Sequence, residues 1–166
     1  FDGTKFVDDI PYAAATAYLF QATGAHTLTF EATSTAGAAI ASLQRTLEST
    51  SDISVLVVGF PGAVQAIAFA DDNLVPLAGA CRVRFVNASS DNAAYDVYVG
   101  DTKQVSALAA RSASDYVTLV PATYTFTFRD PVSGATVLAV ADQAIGEGRV
   151  ATLYLAGAVG QLSSIV

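Results

Sequence analysis

The sequence predicts an all-β chain of two tandem domains built from one duplicated β-sandwich unit. Three observations carry this reading. Short segments alternate apolar and polar residues, Gly and Pro punctuate them, and the chain matches itself at a fixed offset of 98 residues. Alternation with period two is the mark of a half-buried strand, and many short strands with turn residues between them predict a sandwich or barrel.

The alternation is clearest where aromatic residues supply it. Tyr124, Phe126 and Phe128 share one face of an extended segment, with Thr123, Thr125 and Thr127 on the other. His26, Leu28 and Phe30 oppose Thr27 and Thr29 in the same way. Further strands are expected at residues 17–20, 38–47, 53–59, 63–70, 82–89, 95–99, 116–119, 135–144 and 149–155. Turn residues fall between them at Pro61-Gly62, Pro121, Pro131, Gly134, Gly146 and Gly148. The Ala-rich stretch 36–47 has helix propensity, but its repeat equivalent, 134–145, carries Val and Ile and favours strand.

The repeat sets the domain organisation. Thr4-Lys5-x-Val7 falls on Thr102-Lys103-x-Val105, Ala15 on Ala113, and Tyr18 on Tyr116. Thr27-Leu28-Thr29-Phe30 falls on Thr125-Phe126-Thr127-Phe128, and Ala41 on Ala139. Around Gly59-Phe60-Pro61-Gly62 the frame is expected to drift by a residue or two, setting 53–58 against 150–155. The predicted divisions are a first domain at 1–72, a linker at 73–80 and a second domain at 81–166. The strand-like segments 82–89 and 95–99 open the second domain, and their counterparts would precede Phe1. The first domain is therefore expected to lack its two N-terminal strands. Those strands would come from a neighbouring repeat of a longer array, or from another chain by head-to-tail strand addition. The array is preferred, because no spare strand follows the second domain, whose end at Val166 parallels Ala68.

Composition narrows the function. Hydrophobic residues make up 52% of the chain, enough for a core, while charged residues make up 14%. The net charge of −7 argues against nucleic acid and anionic membrane surfaces as partners. No apolar run is long enough to span a bilayer as a helix, so membrane insertion is not expected. Cys81 is the only cysteine, so no intrachain disulfide can form.

The run Cys81-Arg82-Val83-Arg84-Phe85-Val86-Asn87-Ala88-Ser89-Ser90-Asp91-Asn92-Ala93-Ala94-Tyr95-Asp96-Val97-Tyr98-Val99 resembles the opening of the DUF4397 domain family. Its members read A-x-V-R-x-x-[HN]-A-S-P-D-A-P-x-V-D-V-Y-V. Residues 112–119, Ser-Ala-Ser-Asp-Tyr-Val-Thr-Leu, and Ala122-Thr123-Tyr124 are similar to its middle segment. The second domain is covered almost throughout, and the first from its third strand onward. Ser90 and Asn92-Ala93-Ala94 replace the usual Pro-containing loop, and Cys81 replaces a small residue. The resemblance implies tandem immunoglobulin-like β-sandwiches, often repeated, in secreted or cell-surface bacterial proteins. It brings no catalytic residues with it.

Candidate sites are few. His26, the only histidine, would have to serve any Ser-His-Asp triad, yet no G-x-S-x-G elbow is present and the repeat gives it the slot of Tyr124. Asp8-Asp9, Asp71-Asp72-Asn73 and Asp91-Asn92 are acidic clusters; Asp71 and Asp72 are candidates for a calcium ion at the linker, but no calcium-loop spacing surrounds them. No cofactor is expected. Asn87-Ala88-Ser89 is formally a glycosylation sequon inside the family-like motif. Lys5 and Lys103 share a repeat position suited to an exposed strand edge. Tyr12, Phe60, Tyr95 and Tyr98 are candidate anchors for a carbohydrate or protein partner. The expectation is a non-catalytic structural module, a stalk or filament subunit, with an adhesion module as the alternative and an enzyme not expected.

Overall fold

The computed structural model describes residues 1–35, 37–91, 93–158 and 160–165. Ala36 of the Ala-rich stretch, Asn92 of the last acidic cluster and Val166 lie outside the described residues. The chain divides into two compact units, Phe1–Asp72 and Asn73–Val166. Among the described residues the regular structure is all β, apart from one 3-10 turn at Thr33–Thr35.

The N-terminal unit contains β1 (Gly24–Glu31), β2 (Ala39–Leu47), β3 (Asp52–Val58) and β4 (Gln65–Asp71). They form two antiparallel hairpins, β1–β2 and β3–β4, each a two-stranded sheet. β2 comes alongside β4. The helical propensity of residues 39–47 is overridden by pairing with β1, where Leu43 faces Leu28 and Ala41 faces Phe30.

The C-terminal unit contains β5 (Cys81–Ser89), β6 (Tyr95–Val99), β7 (Thr102–Leu108), β8 (Ser112–Ala113), β9 (Val117–Leu119), β10 (Ala122–Arg129), β11 (Thr136–Ile145), β12 (Val150–Gly157) and β13 (Ser163–Ile165). One sheet has the order β11-β10-β6-β7. The other has the order β13-β12-β5-β8, with β9 also on β5. β5 and β12 run parallel, Arg82 facing Val150 through to Ser89 facing Gly157. The remaining pairings are antiparallel.

The two sheets of this unit enclose one core. Val83 and Phe85 of β5 and Leu153 and Leu155 of β12 meet Val97 of β6 and Phe126 and Phe128 of β10. The Phe85 ring stands edge-on to those of Phe126 and Phe128, with centroids 5.5 and 6.4 Å apart, a geometry favoured by the ring quadrupoles. The alternation in β10 thus does what it predicts: Phe126 and Phe128 point inward, and Thr125 and Thr127 belong to the opposite face. β5 reads as a nearly unbroken buried run because it is a central strand with a parallel partner.

The repeat is written into the backbone. Gly24–Glu31 corresponds to Ala122–Arg129, and Gly24 pairs with Leu47 as Ala122 pairs with Ile145. Leu56 pairs with Ile67 as Tyr154 pairs with Ile165. The expected drift after Gly59 does not occur. Gly59 and Gly157 both have positive φ, Gly62 and Gly160 share φ 84°, and the Ala63 amide bonds to Phe60 as Gln161 bonds to Ala158. At Gly59 only glycine fits, since a Cβ would collide with the Ala63 carbonyl. The hairpins differ only in their bulges. The C-terminal one slips between Tyr124 and Phe126, opposite Asp142 at φ 57°, where the N-terminal one stays in register.

One predicted strand is corrected. Residues 17–20 are not a strand, and residues 1–23 contain none. Their equivalents in the C-terminal unit are β7, β8 and β9, which hydrogen-bond to β6 and β5. A strand exists only where a neighbour takes up its backbone groups, and no β5- or β6-type strand lies beside residues 1–23 in this unit.

Candidate functional site

The motif that carries the family resemblance forms a structural knot. Asn87 is fully buried, and its amide donates to the carbonyls of Ala93 and Leu108, both at 2.9 Å. Its Oδ1 accepts from the Ser89 amide at 3.1 Å and the Ser89 hydroxyl at 2.6 Å. Asp91 accepts from the Ala93 amide and the Tyr95 hydroxyl. Together these bonds pin the end of β5, the entry to β6 and the end of β7. A buried polar group is tolerated when it is fully bonded, and this one is. In the folded chain the sequon's Asn87 side chain is therefore out of reach of solvent.

Tyr95 is also part of this knot. It is 1% exposed, and burial, then its bond to Asp91, pushes its hydroxyl up to about 12. It is not an exposed anchor, contrary to its place among the candidates. Tyr98, beside it in sequence, points the other way and lies under the Arg129 guanidinium at 4.1 Å. Tyr12 and Phe60 are exposed. They lie in the N-terminal unit and Tyr98 in the C-terminal one, so the four aromatics do not share one surface of a single unit.

The titratable residues hold structure. Asp96 accepts from the Lys103 ammonium and from the Ala107 amide, which secures a turn with Ala107 at φ 46°. The bond from Lys103 holds the Asp96 carboxyl below its ordinary range, and the same bond raises Lys103. The pairing thus favours the charged form of both partners. Lys103 sits on β7, the last strand of its sheet. Lys5 is not on a strand and pairs with Asp8 at 2.8 Å.

His26 has both ring nitrogens engaged. Nδ1 meets Asp2 at 2.7 Å and Nε2 meets the Ala22 carbonyl at 2.9 Å. The bond to Asp2, and then that to Ala22, raises the imidazole above its ordinary value. In a triad Nε2 takes the proton of a nucleophile; here a carbonyl occupies it. The ring packs against Phe1 at a tilt of 46°, with centroids 4.8 Å apart, and in the hairpin it takes the position of Tyr124, as the repeat predicts.

Asp71 ends β4 and does not lie in a linker; it accepts from the Tyr18 hydroxyl and from Ser54, both at 2.8 Å. Among the described residues no three or more His, Cys, Asp or Glu side chains come together to hold a metal ion. Cys81 is buried in the core with its Sγ 3.5 Å from the Leu119 carbonyl, and burial pushes its thiol up. A shallow groove of about 480 Å³ in the C-terminal unit runs between β7 and β8–β9 and is lined by Gln104, Ser106, Ser112, Ser114 and Asp115 among others. The Ser112 and Ser114 hydroxyls there donate to the backbone carbonyls of Ala109 and Asp115. Among the described residues no helix is long and apolar enough to cross a membrane.

The least satisfied surface is in the N-terminal unit, and periodicity alone does not reveal it. Val57 is 38% exposed where its equivalent Leu155 is 0% exposed, and Ile10 is 51% exposed where Leu108 is 5%. Leu28 and Phe30, equivalents of buried Phe126 and Phe128, are only half-buried. Phe6, Val7 and Leu19 are exposed as well. Positions buried in the core of one unit are half-buried or exposed in the other, and the strands β1 and β3 each carry a neighbour on one side only.

A search of curated proteins and of solved structures finds no match to the chain. The family model described as "Domain of unknown function (DUF4397)" matches residues 1–94 and again residues 82–166. Two overlapping matches that together span the chain, over a backbone that repeats its own registers, show that this protein belongs to the DUF4397 family.

Proposed function

We propose that the chain is a non-catalytic structural module of a secreted or cell-surface bacterial protein. In this reading it is a stalk or filament subunit of tandem immunoglobulin-like sandwiches, whose N-terminal unit is completed by strands from a neighbouring segment or chain. One observation carries the reading: β1 and β3 each have a neighbour on one side only, and equivalents of C-terminal core residues are half-buried (Leu28, Phe30) or exposed (Val57, Ile10) in the N-terminal unit. Each large apolar side chain left in water forgoes roughly 1.5–3 kcal/mol, so several together weigh heavily against a domain stability of about 5–15 kcal/mol. The engagement of His26, Asp96, Asn87 and Cys81 in structural bonds supports a role without catalysis.

Electron microscopy of the protein purified from its source tests this. Extended stalks or fibres are expected. Compact isolated particles at every concentration would overturn it. Adhesion is the second reading, favoured by the exposure of Tyr12 and Phe60. Glycan or protein binding lost on Tyr12→Ala and Phe60→Ala, without any assembly, would replace the first reading with the second.

A further inference from the structure

The outer face of the sheet β11-β10-β6-β7 carries two cations over one tyrosine. Six of the eight Lys and Arg residues lie in the C-terminal unit, so the cationic groups of this acidic chain are concentrated there. The Arg129 guanidinium lies 4.1 Å from the centre of the Tyr98 ring, and the Lys103 ammonium lies 5.7 Å from the same centre. Attraction to a ring face consumes none of a guanidinium's N–H donors. No carboxylate takes them up. Asp96 faces Arg129 in the register of β6 and β10, but it accepts from Lys103 and from the Ala107 amide instead. Asp130, the next residue, accepts through Oδ1 from the Val132 and Ser133 amides and from the Ser133 hydroxyl. Among the described residues Arg129 Nε is buried without a hydrogen-bond partner, and the guanidinium makes no ion pair. Its desolvation is therefore not offset inside the fold. Nor does the hairpin need an arginine at this place. Glu31 stands there in the repeat, where β1 pairs with β2 and the Gly37 amide donates to the carboxylate at 2.8 Å.

We propose that Arg129, held over Tyr98, binds the carboxylate of an acidic sugar unit in a polysaccharide, with Lys103 offsetting Asp96 beside it. The guanidinium fork takes a carboxylate by two parallel hydrogen bonds. The ring beneath fixes the side chain in advance, which lowers the entropy lost on binding. Thr136, exposed and opposite Arg129 in β11, brings a hydroxyl to the same place for the hydroxyls of a sugar. An acidic peptide also carries carboxylates, but this face does not suit one. β6 and β10 each have a neighbour on both sides, so they offer no free main chain for a peptide to pair with. The net charge of −7 repels a polyanion at long range. That field is screened beyond about 8 Å at physiological salt, and within that distance the local cation decides. The site lies on the C-terminal unit, and the inference goes beyond the structural role without resting on it.

The test titrates the whole chain with tetragalacturonate. Calorimetry gives the affinity, and NMR of the arginine Nε–H and backbone amide signals locates the site. Saturable binding that shifts the Arg129 Nε–H and the Tyr98 and Thr127 amides is expected. Arg129→Met, which keeps an unbranched stem over Tyr98, should weaken binding about tenfold or more, and Arg129→Lys should weaken it too, because an ammonium lacks the fork. Arg149→Met, at an exposed arginine of the same unit, should leave it unchanged. Native amide shifts in β5 and β12 verify that each variant is folded. The fully methyl-esterified tetramer, with the same rings and no charge, should not bind. No binding of the acid by the folded chain, equal binding of the ester, or binding that survives Arg129→Met overturns the proposal. So does tetraglutamate that gives the same Arg129 shift at equal affinity, since an acidic peptide would then be the ligand. Acetate that binds as tightly overturns it as well, leaving an unselective anion contact. Stalks or fibres without sugar binding would sink this site alone, and sugar binding by a protein that forms only compact particles would sink the assembly alone.

Discussion

The two units share a backbone plan and differ in what covers it. Leu155 is sealed between sheets in the C-terminal unit, while Val57, at the same place in the repeat, faces water. The hairpins β1–β2 and β10–β11 nonetheless share a register from Gly24 and Ala122 to His26 and Tyr124, up to the bulge in the second, and the pairings of β3–β4 and β12–β13 match. Hairpin register is thus a local property, decided by turn residues and alternation. Burial is not local. It depends on β5 and β6, which unite the C-terminal unit by pairing with β12, β9, β8, β10 and β7.

The sharpest way to break this comparison is to cut the same side chain from both units. Phe126→Ala should cost about 3–5 kcal/mol, as for buried aromatics generally. Leu28→Ala, its repeat equivalent, should cost less than about 1 kcal/mol, in line with a poorly covered site. Denaturant unfolding followed by unit-specific NMR signals measures both. Equal costs would mean that the N-terminal unit has a core of its own.

A smaller effect is expected from the polar knot, which has no counterpart among residues 1–72. Asn87→Ala leaves the Ala93 and Leu108 carbonyls and the Ser89 hydroxyl without that partner, and should cost about 1–3 kcal/mol for the substitution as a whole. The loss should fall on the C-terminal unit alone. Reactivity of Cys81 toward a thiol reagent reports it, because the thiol is buried until that unit opens. Unchanged labelling kinetics would show that the knot does not brace the core.

Asp96→Asn ranks next, at about 1 kcal/mol, since its partner Lys103 is partly exposed and such pairs contribute little. Its signature is loss of exchange protection at Ala107 with the β10–β11 hairpin unchanged. Protection at Ala107 that survives the substitution would show that a neutral amide oxygen holds the turn as well as the carboxylate does.

The smallest expected effect is on pH dependence, and here the units diverge in sign. His26 is raised above its ordinary 6.5 by Asp2, so its contribution is present below that value and lost as pH rises through the raised one. Asp2 is lowered below 3.8, chiefly by the bond to His26, so its contribution is lost on acidification. The clamp on residues 1–4 is therefore bounded on both sides, and protection of the Thr27 amide, which donates to Asp2 at 2.8 Å, should fall as pH rises through the raised value of the imidazole. Asp96 and Lys103 shift apart, so protection at Ala107 should weaken only in acid and persist through mild alkali. Parallel pH profiles at the two amides would show that the charges do not set them. His26→Gln should flatten the alkaline side at Thr27 only.

Much of the fold was legible in residues. The aromatic alternation at 124–128 located β10 and its inward face, because a half-buried strand must repeat every second residue. The offset of 98 residues anticipated the shared registers. β7 escaped, since Thr102–Leu108 is an edge strand with only Val105 and Leu108 turned toward the core, too few for a pattern. The expected strand at 17–20 failed for the opposite reason: Tyr18, Leu19 and Phe20 have the propensity and lack the neighbour. Among candidate residues, His26 was placed correctly by the repeat. Tyr95 was misjudged, because the sequence cannot tell which of Tyr95 and Tyr98 faces inward until the register with β10 is set.

By itself, then, the sequence determined the β class, the duplication and the local hairpins, all of which follow from short-range sterics and periodicity. Only the tertiary structure decided which apolar faces are sealed. Sealing requires strands distant in sequence to arrive on both sides, as β5 reaches β12 and β6 reaches β10. It also turned Asn87 and Asp91 from possible surface chemistry into internal bonds, because burial and partners are properties of the packed chain.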